Sequence, residues 1–420
     1  MQDDILFENQ LAFVLPVKNE SEYIEEWLEY NYAIGVDKFY IYNNESTDRS
    51  VLLKVLQPWI DKKIVDFEDY PGRAAQLPIY NDAVRRHRFE CRYMGFLDTD
   101  EFIYIKQDKN LLEFTQEMMA RGETLSGFIM FWRCFGTGGQ EKKLPGGVID
   151  RFIHRSDLEF LANKFTKTIL NPRRIRTVGN PHFARYFPNA VCMEENGNFS
   201  DQMSVETGEV INVQVNHYMT KSKEEYIKKR ERGRADAIEK HLEEEFKEYD
   251  RNNIEDTGLR DKWRIMRQDP KTPRMQNADP SIHDARVSLN NLLKMLEPII
   301  EGNPTDEFFR GQIEKFTTCF GLARNLQGIS QQERDYLEDI SLDATYRAIN
   351  AGVIRAYNIF LLFYMLPELM TTKSKRGWDL IRLCQDLIPK LRPLTRSYNE
   401  MECYVDMRFF ERLLGNLKHE

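Results

Sequence analysis

Residues 93–101 read YMGFLDTDE, an apolar run that ends on a cluster of three carboxylates. A continuous apolar run of this length is typical of a parallel strand that is buried on both faces. In open α/β sheets, ligands bind beyond the carboxyl ends of the strands. The stretch therefore predicts a buried strand whose end presents Asp98 and Asp100 to a ligand.

The chain before this stretch repeats the same pattern of apolar strand, polar loop and amphipathic helix. Strands are predicted at residues 11–15, 38–42, 64–67 and 93–97, with a helix in each interval. Such alternation at short spacing predicts βαβ units and a mostly parallel, Rossmann-like sheet. Asn19 followed by Glu22 has the spacing of a capping box, which predicts the start of the first helix, and Gly35 marks its end.

The pattern changes after residue 127. Short strands are predicted at residues 128–132, 148–153, 168–170 and 210–215. A densely charged helical stretch follows at 221–249, a Pro-rich linker at 268–280, and amphipathic helices beyond it. We therefore predict an α/β catalytic domain at 1–235, a charged helix and linker at 236–278, and an all-α C-terminal domain at 279–420.

Bulk composition narrows the functional classes. The 420 residues are 41% hydrophobic and 30% charged, with a formal net charge of -8, which argues against a dedicated nucleic-acid binder. The six cysteines show no zinc-binding spacing. The first residues lack the features of a signal peptide, and no apolar run approaches the ~20 residues that span a bilayer. We therefore expect a cytoplasmic protein, with peripheral contact at the inner face of the membrane as an alternative.

The acidic cluster at residues 98–101 predicts a cation site. Adjacent carboxylates repel one another unless a cation or hydrogen-bond donors neutralise them. Mg²⁺ and Mn²⁺ prefer such oxygen ligands and commonly share them with substrate phosphates, so a diphosphate-linked sugar fits the site. A solvated acidic turn is the alternative. As an exposed strand-end carboxylate, Asp100 should be replaceable by alanine without unfolding the domain.

The order of motifs over residues 8–235 resembles glycosyltransferase family 92 and, more distantly, glycosyltransferase family 2. The motifs are PVKNE at 16–20, YIEEW at 23–27, GVDKFYIY at 35–42, NNESTD at 43–48, FLDTDEF at 96–102, WRCFG at 132–136, KFTK at 164–167 and HY at 217–218. The resemblance implies a GT-A fold, a nucleotide-diphosphate sugar donor, a divalent metal and inversion at the transferred sugar. The resemblance does not extend to the predicted helical residues that follow.

The resemblance also implies roles for individual residues. The implied nucleotide-sugar-binding residues are Pro16, Lys18, Glu20, Asn44, Asp48, Arg73, Gln76, Asn81, Asp82 and Asp98. Further candidates from the residue types themselves are Trp132, as a wall on which the sugar stacks, and Lys164 and Lys167, as phosphate contacts. The implied metal ligands are Asp98, Asp100 and His217. Asn43 and Asn44 stand where family 2 enzymes more often have paired aspartates, which leaves the base contact open.

Several of these residues also have a structural interpretation. His217 and Trp132 can be core residues, and Lys164 and Lys167 can be solvated lysines.

The general base of an inverting transferase must be a carboxylate near the acceptor. Asp150 and Glu141 are candidates because they follow the predicted acceptor loop, which is glycine-rich.

The sequence leaves three functions open. The main hypothesis is a Mn²⁺- or Mg²⁺-dependent hexosyltransferase acting from a nucleotide sugar, UDP-linked by analogy, onto a glycan or lipid-linked glycan. A nucleotidyltransferase or other nucleotide-sugar enzyme is the first alternative, although strand one lacks the usual Gly-rich phosphate loop. A non-catalytic scaffold is the second. The basic run at 221–234 favours a solvated helix, and a patch that binds anionic lipid or a diphosphate lipid acceptor is the alternative.

Overall fold

The structure is a computed structural model, and a mixed sheet forms the centre of the residues that it describes. The described residues are 7–283, except 89, 123, 189, 201–207, 209, 233–242 and 281–282, together with residue 287. Residues 7–283 form one compact unit. The predicted helical domain at 279–420 lies almost entirely outside the described residues. Within the described part, no helix is long and apolar enough to cross a membrane.

The elements alternate as predicted at first and then become irregular. The strands are β1 (Asn9–Val17), β2 (Lys38–Asn43), β3 (Val65–Asp69), β4 (Cys91–Phe96), β5 (Glu101–Ile105), β6 (Leu125–Cys134), β7 (His154–Arg155), β8 (Thr166–Leu170), β9 (Ile175–Asn180), β10 (Phe183–Tyr186), β11 (Val191–Met193), β12 (Val213–His217) and β13 (Ile254–Glu255). The α-helices are α1 (Ile24–Ala33), α2 (Arg49–Asp61), α3 (Gln76–His87), α4 (Leu111–Met119), α5 (Val148–Arg151), α6 (Lys223–Arg232), α7 (Glu243–Tyr249) and α8 (Gly258–Gln268). Short 3₁₀ helices occur at Leu161–Lys164, Pro172–Arg174 and Met275–Asn277.

The main sheet has the strand order β3-β2-β1-β4-β8-β6-β12-β5, and β11 also pairs with β6. Strands β3, β2, β1 and β4 are parallel, and β8 is antiparallel to both of its neighbours. Strand β12 is parallel to β6. The carboxyl ends of β1, β4, β6 and β12 therefore lie along one edge. The predicted mixed α/β fold with a mostly parallel sheet is confirmed.

Strand β1 is buried on both faces, as its apolar sequence predicts. Leu11 and Phe13 belong to one hydrophobic cluster, whereas Ala12 and Val14 belong to another. Successive side chains of a strand point to opposite faces, so β1 lies between two packed layers. This burial fixes the position of the polar loop that follows β1.

The predicted capping box at the start of α1 is wrong. Tyr23 is the N-cap residue and makes no side-chain capping bond. Asn19 instead adopts a left-handed backbone with φ 54°, and its Oδ1 accepts hydrogen bonds from Thr47 N and Oγ1. The side chain therefore joins the loops after β1 and β2 and cannot cap the helix. Gly35 follows the helix with φ 103°, as predicted.

The strand predicted at 148–153 is also wrong, because residues 148–151 form the single helical turn α5. The Glu26 carboxylate accepts hydrogen bonds from the backbone N–H of Val148, at 2.6 Å, and of Ile149, at 3.3 Å. An acceptor at the first N–H groups of a helix satisfies donors that have no partner within the helix. A long-range contact therefore overrides the β-branched sequence.

The core continues past residue 235. Trp263 of α8 packs edge-on against Tyr30 of α1, with ring centroids 5.3 Å apart, and Leu259 is fully buried nearby. Lys62 Nζ donates a hydrogen bond to the Ala278 carbonyl. Part of the segment predicted as charged helix and linker therefore packs with the sheet.

Candidate donor site

A cleft with a volume of about 270 Å³ opens at the shared carboxyl edge of the sheet. The loop after β1, the turn between β4 and β5, the end of β12 and helices α6 and α7 surround it. Eight of the sequence-predicted residues line this cleft: Pro16, Lys18, Glu20, Gln76, Asp98, Asp100, Trp132 and His217. The structure thus brings residues from four separate motifs into one site.

Asp98 is held in place by two hydrogen-bond donors, one of them a cation. Gln76 Nε2 donates to its Oδ1 at 2.9 Å, and Lys167 Nζ donates to its Oδ2 at 2.9 Å. Lys167 also lies 2.9 Å from Glu101 Oε2. Burial would lower the pKa of Lys167, but the charges of Asp98 and Glu101 outweigh it and hold that pKa well above its usual value. Lys167 is therefore a buried cation beneath the cleft that positions Asp98.

Asp100 is buried, with 4% of its surface exposed, so the expectation of an exposed carboxylate is wrong. Lys229 Nζ donates a hydrogen bond to its Oδ2, and His217 Nε2 lies 3.8 Å from its Oδ1. Burial would raise the pKa of Asp100, but the positive charges of Lys229 and Lys221 outweigh it and hold the pKa well below its usual range. Asp100 is therefore an ionised carboxylate surrounded by cations.

His217 supplies a neutral imidazole beside Asp100. Burial lowers the pKa of His217 to about 3, against the opposing charge of Asp100. Its ring packs against Trp132 at an interplanar angle of 43°, with centroids 4.1 Å apart, which restricts the ring orientation. A neutral imidazole and a carboxylate are both common ligands of divalent metals in proteins.

Helix α6 contributes two cleft residues that were not singled out from the sequence. Arg232 pairs with Glu20 through Nη2 and donates from Nη1 to the carbonyls of Lys18, at 2.9 Å, and Asn19, at 3.1 Å. Lys229 lies three residues earlier and points to the same side of the helix. This spacing within the basic run was the signal that could have identified both residues.

Four buried polar atoms in the cleft residues have no hydrogen-bond partner among the described residues. They are Glu20 Oε2, Gln76 Oε1, Trp132 Nε1 and His217 Nδ1. A buried polar atom without a partner costs about 1–3 kcal/mol, and native structures rarely retain several in one place. The four atoms around the cleft are therefore available to hydrogen-bond a polar ligand.

Two predicted residues hold the loops beside the cleft and do not line it. Asn44 Nδ2 donates to the carbonyls of Tyr70, at 3.0 Å, and Gly72, at 2.8 Å. Asp48 accepts a hydrogen bond from the backbone N–H of Ser21 at 3.1 Å. Both residues therefore fix the loop after β2 against its neighbours.

Four further nucleotide-binding candidates also lie outside the cleft lining. Arg73 is exposed, and Lys164 is half-buried in a 3₁₀ helix. Asn81 exchanges two hydrogen bonds with the backbone of Val178 and so ties α3 to β9. Asp82 pairs with two arginines of its own helix. Their predicted contact with the nucleotide stays a prediction.

The two predicted general bases are not brought to the cleft. Asp150 accepts hydrogen bonds from Arg264 Nε, at 3.0 Å, and Arg267 Nη2, at 2.8 Å, because α5 turns it toward α8. The Glu141 side chain is 76% exposed and lies 3.6 Å from Lys223 Nζ. Neither carboxylate lines the cleft that holds Asp100.

The cleft residues fit a divalent metal only in part. Among the described residues, no group of three His, Cys, Asp or Glu side chains has metal-binding geometry. Asp100 and His217 form a suitable pair, and substrate phosphates commonly complete such a shell. Both oxygens of Asp98 already accept hydrogen bonds, from Gln76 and Lys167.

Several known proteins are similar to this chain in sequence. Residues 14–258 match the family model described as glycosyltransferase family 92. A glycosyltransferase family 92 protein of Ricinus communis is 26% identical over 141 residues, covering 33% of this chain and 25% of that protein. A second family 92 protein, from Oryza sativa, is 26% identical over 186 residues, covering 40% of this chain and 28% of that protein. A galactan beta-1,4-galactosyltransferase of Arabidopsis thaliana is 22% identical over 174 residues, covering 37% and 32%.

The chain thus matches about a quarter to a third of the length of these relatives. Among solved structures, a 4-diphosphocytidyl-2C-methyl-D-erythritol synthase of Anaerococcus prevotii aligns over 40% of this chain and 73% of its own. Its TM-score is 0.23 at 7% identity, too low to bear on fold or function.

Proposed function

The chain belongs to glycosyltransferase family 92, and we propose that it is a GT-A, metal-dependent, inverting glycosyltransferase. It transfers a sugar from a UDP-linked donor to a glycan or lipid-linked glycan. The observation that carries this proposal is the set of four polar atoms without a described partner around a cleft lined by both carboxylates and cations. The relatives named as galactan galactosyltransferases favour a galactosyl donor.

The diphosphate of the donor would bind beside α6. Lys229 and Arg232 line the cleft and contact Asp100 and Glu20. An ammonium has three donors and a guanidinium five, so both side chains can donate to phosphate oxygens as well. Cations placed at the leaving diphosphate stabilise the negative charge that develops there during transfer.

Asp100 and His217 would hold the metal. A bound divalent ion supplies Lewis-acid stabilisation of the leaving diphosphate. His217 is suited to this role because burial keeps it neutral, so its nitrogen retains a lone pair. Lys167 keeps Asp98 oriented at the edge of the same site.

The transferred sugar would lie against Trp132. The indole packs against Phe165 and His182, with ring centroids 5.4 and 5.3 Å away, so its orientation is fixed. Its Nε1–H is buried and has no partner among the described residues. An aromatic face with one free donor is suited to a sugar ring and its hydroxyl groups.

The general base is best sought on α7. Glu245 lines the cleft, and it accepts a hydrogen bond from Tyr226 Oη at 3.4 Å. Asp150 and Glu141 lie outside the cleft lining, so Glu245 replaces them as the candidate that takes the acceptor proton.

The test is a transfer assay on the full chain. UDP-galactose and other nucleotide sugars are incubated with Mn²⁺ and galactan oligosaccharides, and nucleoside diphosphate and acceptor mass are measured. The proposal predicts release of the diphosphate together with an acceptor longer by one hexose, and neither with Asp100→Asn. Pyrophosphate release from a nucleoside triphosphate and a sugar phosphate would instead indicate a nucleotidyltransferase.

A further inference from the structure

A second cavity, of about 890 Å³, lies on the other face of the sheet from the donor site. Successive side chains of a strand point to opposite faces. On β6, Trp132 lines the donor cleft and Arg133 lines the second cavity. On β12, His217 lines the first and Gln214 the second. The two cavities are therefore separated by the thickness of the sheet.

The second cavity carries an excess of positive charge. Lys106, Arg133 and Arg155 line it, and Asp256 is the one acidic residue among its described lining. Asp256 accepts a hydrogen bond from Arg155 Nε at 2.8 Å, so the described lining holds three cations and one carboxylate. This balance contrasts with the net charge of -8 for the whole chain.

Among the described residues, neither of the other two cations is paired with a carboxylate. Arg133 donates to the carbonyls of Trp132, at 2.7 Å, and Gly208, at 2.9 Å, which fixes its buried guanidinium. Lys106 stands at the exposed rim, and its Nζ makes no hydrogen bond or ion pair among the described residues.

Like charges crowd one another in this cavity. Burial, followed by the charge of Arg155, lowers the pKa of Arg133 to about 10, so it remains charged at neutral pH. Burial and the charge of Arg133 also lower the pKa of Lys106. An anion bound among the three cations would relieve this repulsion.

The rest of the lining suits a ligand larger than a simple ion. Tyr104, Leu158 and Val210 add apolar surface beside the cations. Gly258 makes room for the phenol, since a Cβ at that position would lie 2.6 Å from Tyr104 Oη. The volume falls in the range of roughly 300–1,000 Å³ that is typical of pockets for small organic ligands.

We propose that this second cavity binds an anionic saccharide, whose carboxylate or phosphate group is held by Lys106, Arg133 and Arg155. An apolar wall with a phenol hydroxyl accommodates the sugar ring, and the cations select the acidic substituent. The site goes beyond the proposed transfer reaction and does not depend on it. Uronic acids and sugar phosphates present the same anionic chemistry to these three side chains.

Calorimetric titration of the full chain tests the proposal. The ligands are trigalacturonic acid, galactose 1-phosphate and neutral galactotriose, each titrated with and without added salt. We expect one or both anions to bind, with affinity that falls as salt rises, and the neutral trisaccharide to bind at least about tenfold more weakly. Comparing the affinities for trigalacturonic acid and galactose 1-phosphate shows whether the site prefers a carboxylate or a phosphate.

Variants of Lys106 assign the binding to this cavity. Because its side chain is at the exposed rim, Lys106→Gln and the charge reversal Lys106→Glu should both fold. We expect losses of about tenfold for the first and more for the second, and none for the matched control Lys54→Gln, an exposed lysine on α2. UDP affinity should be unchanged in all three variants, which separates this site from the donor cleft. Absence of binding by both anions, equal affinity for the neutral trisaccharide, or full affinity in both Lys106 variants would overturn the proposal.

Discussion

Lys229 donates a hydrogen bond from Nζ to Oδ2 of Asp100, although 129 residues separate the two along the chain. The contact joins two walls of the cleft, the acidic turn after β4 and the basic face of α6. A buried carboxylate needs a cation or hydrogen-bond donors to remain ionised, and Lys229 supplies one of each. A divalent metal at Asp100 would therefore share this carboxylate with Lys229 or compete for it.

Replacing Lys229 should affect metal and nucleotide in opposite directions. Lys229→Met removes the cation that is hydrogen-bonded to Asp100, so Mn²⁺ should bind more tightly to the nucleotide-free protein. UDP should bind about tenfold more weakly, because a charged hydrogen bond to the diphosphate is lost. Free Mn²⁺ is measured by electron paramagnetic resonance and UDP by calorimetry. Lys228→Met is the control, since that neighbouring side chain is 56% exposed; equal behaviour of the two variants would contradict the account.

Asp100→Asn should remove transfer while preserving the fold. The substitution keeps the shape of the side chain but removes the charge that binds Lys229 and would bind a metal. We expect kcat/KM to fall at least about 100-fold, as for loss of other electrostatic groups at a leaving group. Circular dichroism and thermal melting provide the control for folding. Activity within a few-fold of wild type would exclude Asp100 from the mechanism.

The buried ion pair between Arg151 and Glu225 predicts an acid-sensitive step in stability. Two hydrogen bonds of 2.8 Å join them, and Ser222 also donates to Glu225. Burial would raise the pKa of Glu225, but these contacts outweigh it and lower the pKa to about 2, from 4.5. Because the folded pKa is the lower one, the unfolded chain takes up the proton first as pH falls. The stabilisation, up to about 3 kcal/mol, is complete above about pH 5 and is lost toward pH 2.

Urea unfolding of Glu225→Gln measures this contribution. Wild type should lose about 1.4 kcal/mol more than the variant between about pH 6 and 3.5, because the glutamine has no proton to take up. Parallel curves for the two proteins would show that the ion pair does not contribute in this way.

A chain truncated after His283 should keep the donor site. Trp263 and Leu259 belong to the core, and Lys62 contacts the Ala278 carbonyl, so a boundary earlier in the chain would remove packed residues. We expect the truncated protein to bind UDP with Mn²⁺ within about threefold of the full chain and to show the same rise in melting temperature with ligand. A folded truncation without nucleotide binding would show that residues beyond 283 complete the site.

Local sequence was sufficient to predict the first parallel strands of the sheet. The parallel strands were identified by the apolar runs at β1, β2 and β4 and by Gly35, which ends the first helix. The same runs identified the edge of the sheet where the acidic turn lies. These features depend on burial and backbone conformation within a few residues. Their order also carried the family resemblance, which the family model confirms.

Contacts between distant segments could not be predicted in the same way. Asp150 follows the predicted acceptor loop in sequence, but Glu26 caps α5 and turns Asp150 toward Arg264. The basic run of α6 has the composition of a solvated helix, yet Lys229 and Arg232 point into the cleft. Composition reports how many charges a helix carries, but only tertiary packing decides which of them face a ligand.

The most direct test of the donor site is a calorimetric titration with UDP, GDP, CDP and ADP in the presence of Mn²⁺. The proteins compared are wild type, Arg232→Gln, and Arg230→Gln, whose exposed side chain lies 3.9 Å from Glu243 and does not line the cleft. The account predicts that one diphosphate, UDP by family analogy, binds wild type and Arg230→Gln equally and Arg232→Gln at least about tenfold more weakly. Failure of all four diphosphates to bind wild type, or equal affinity for Arg232→Gln, would contradict it.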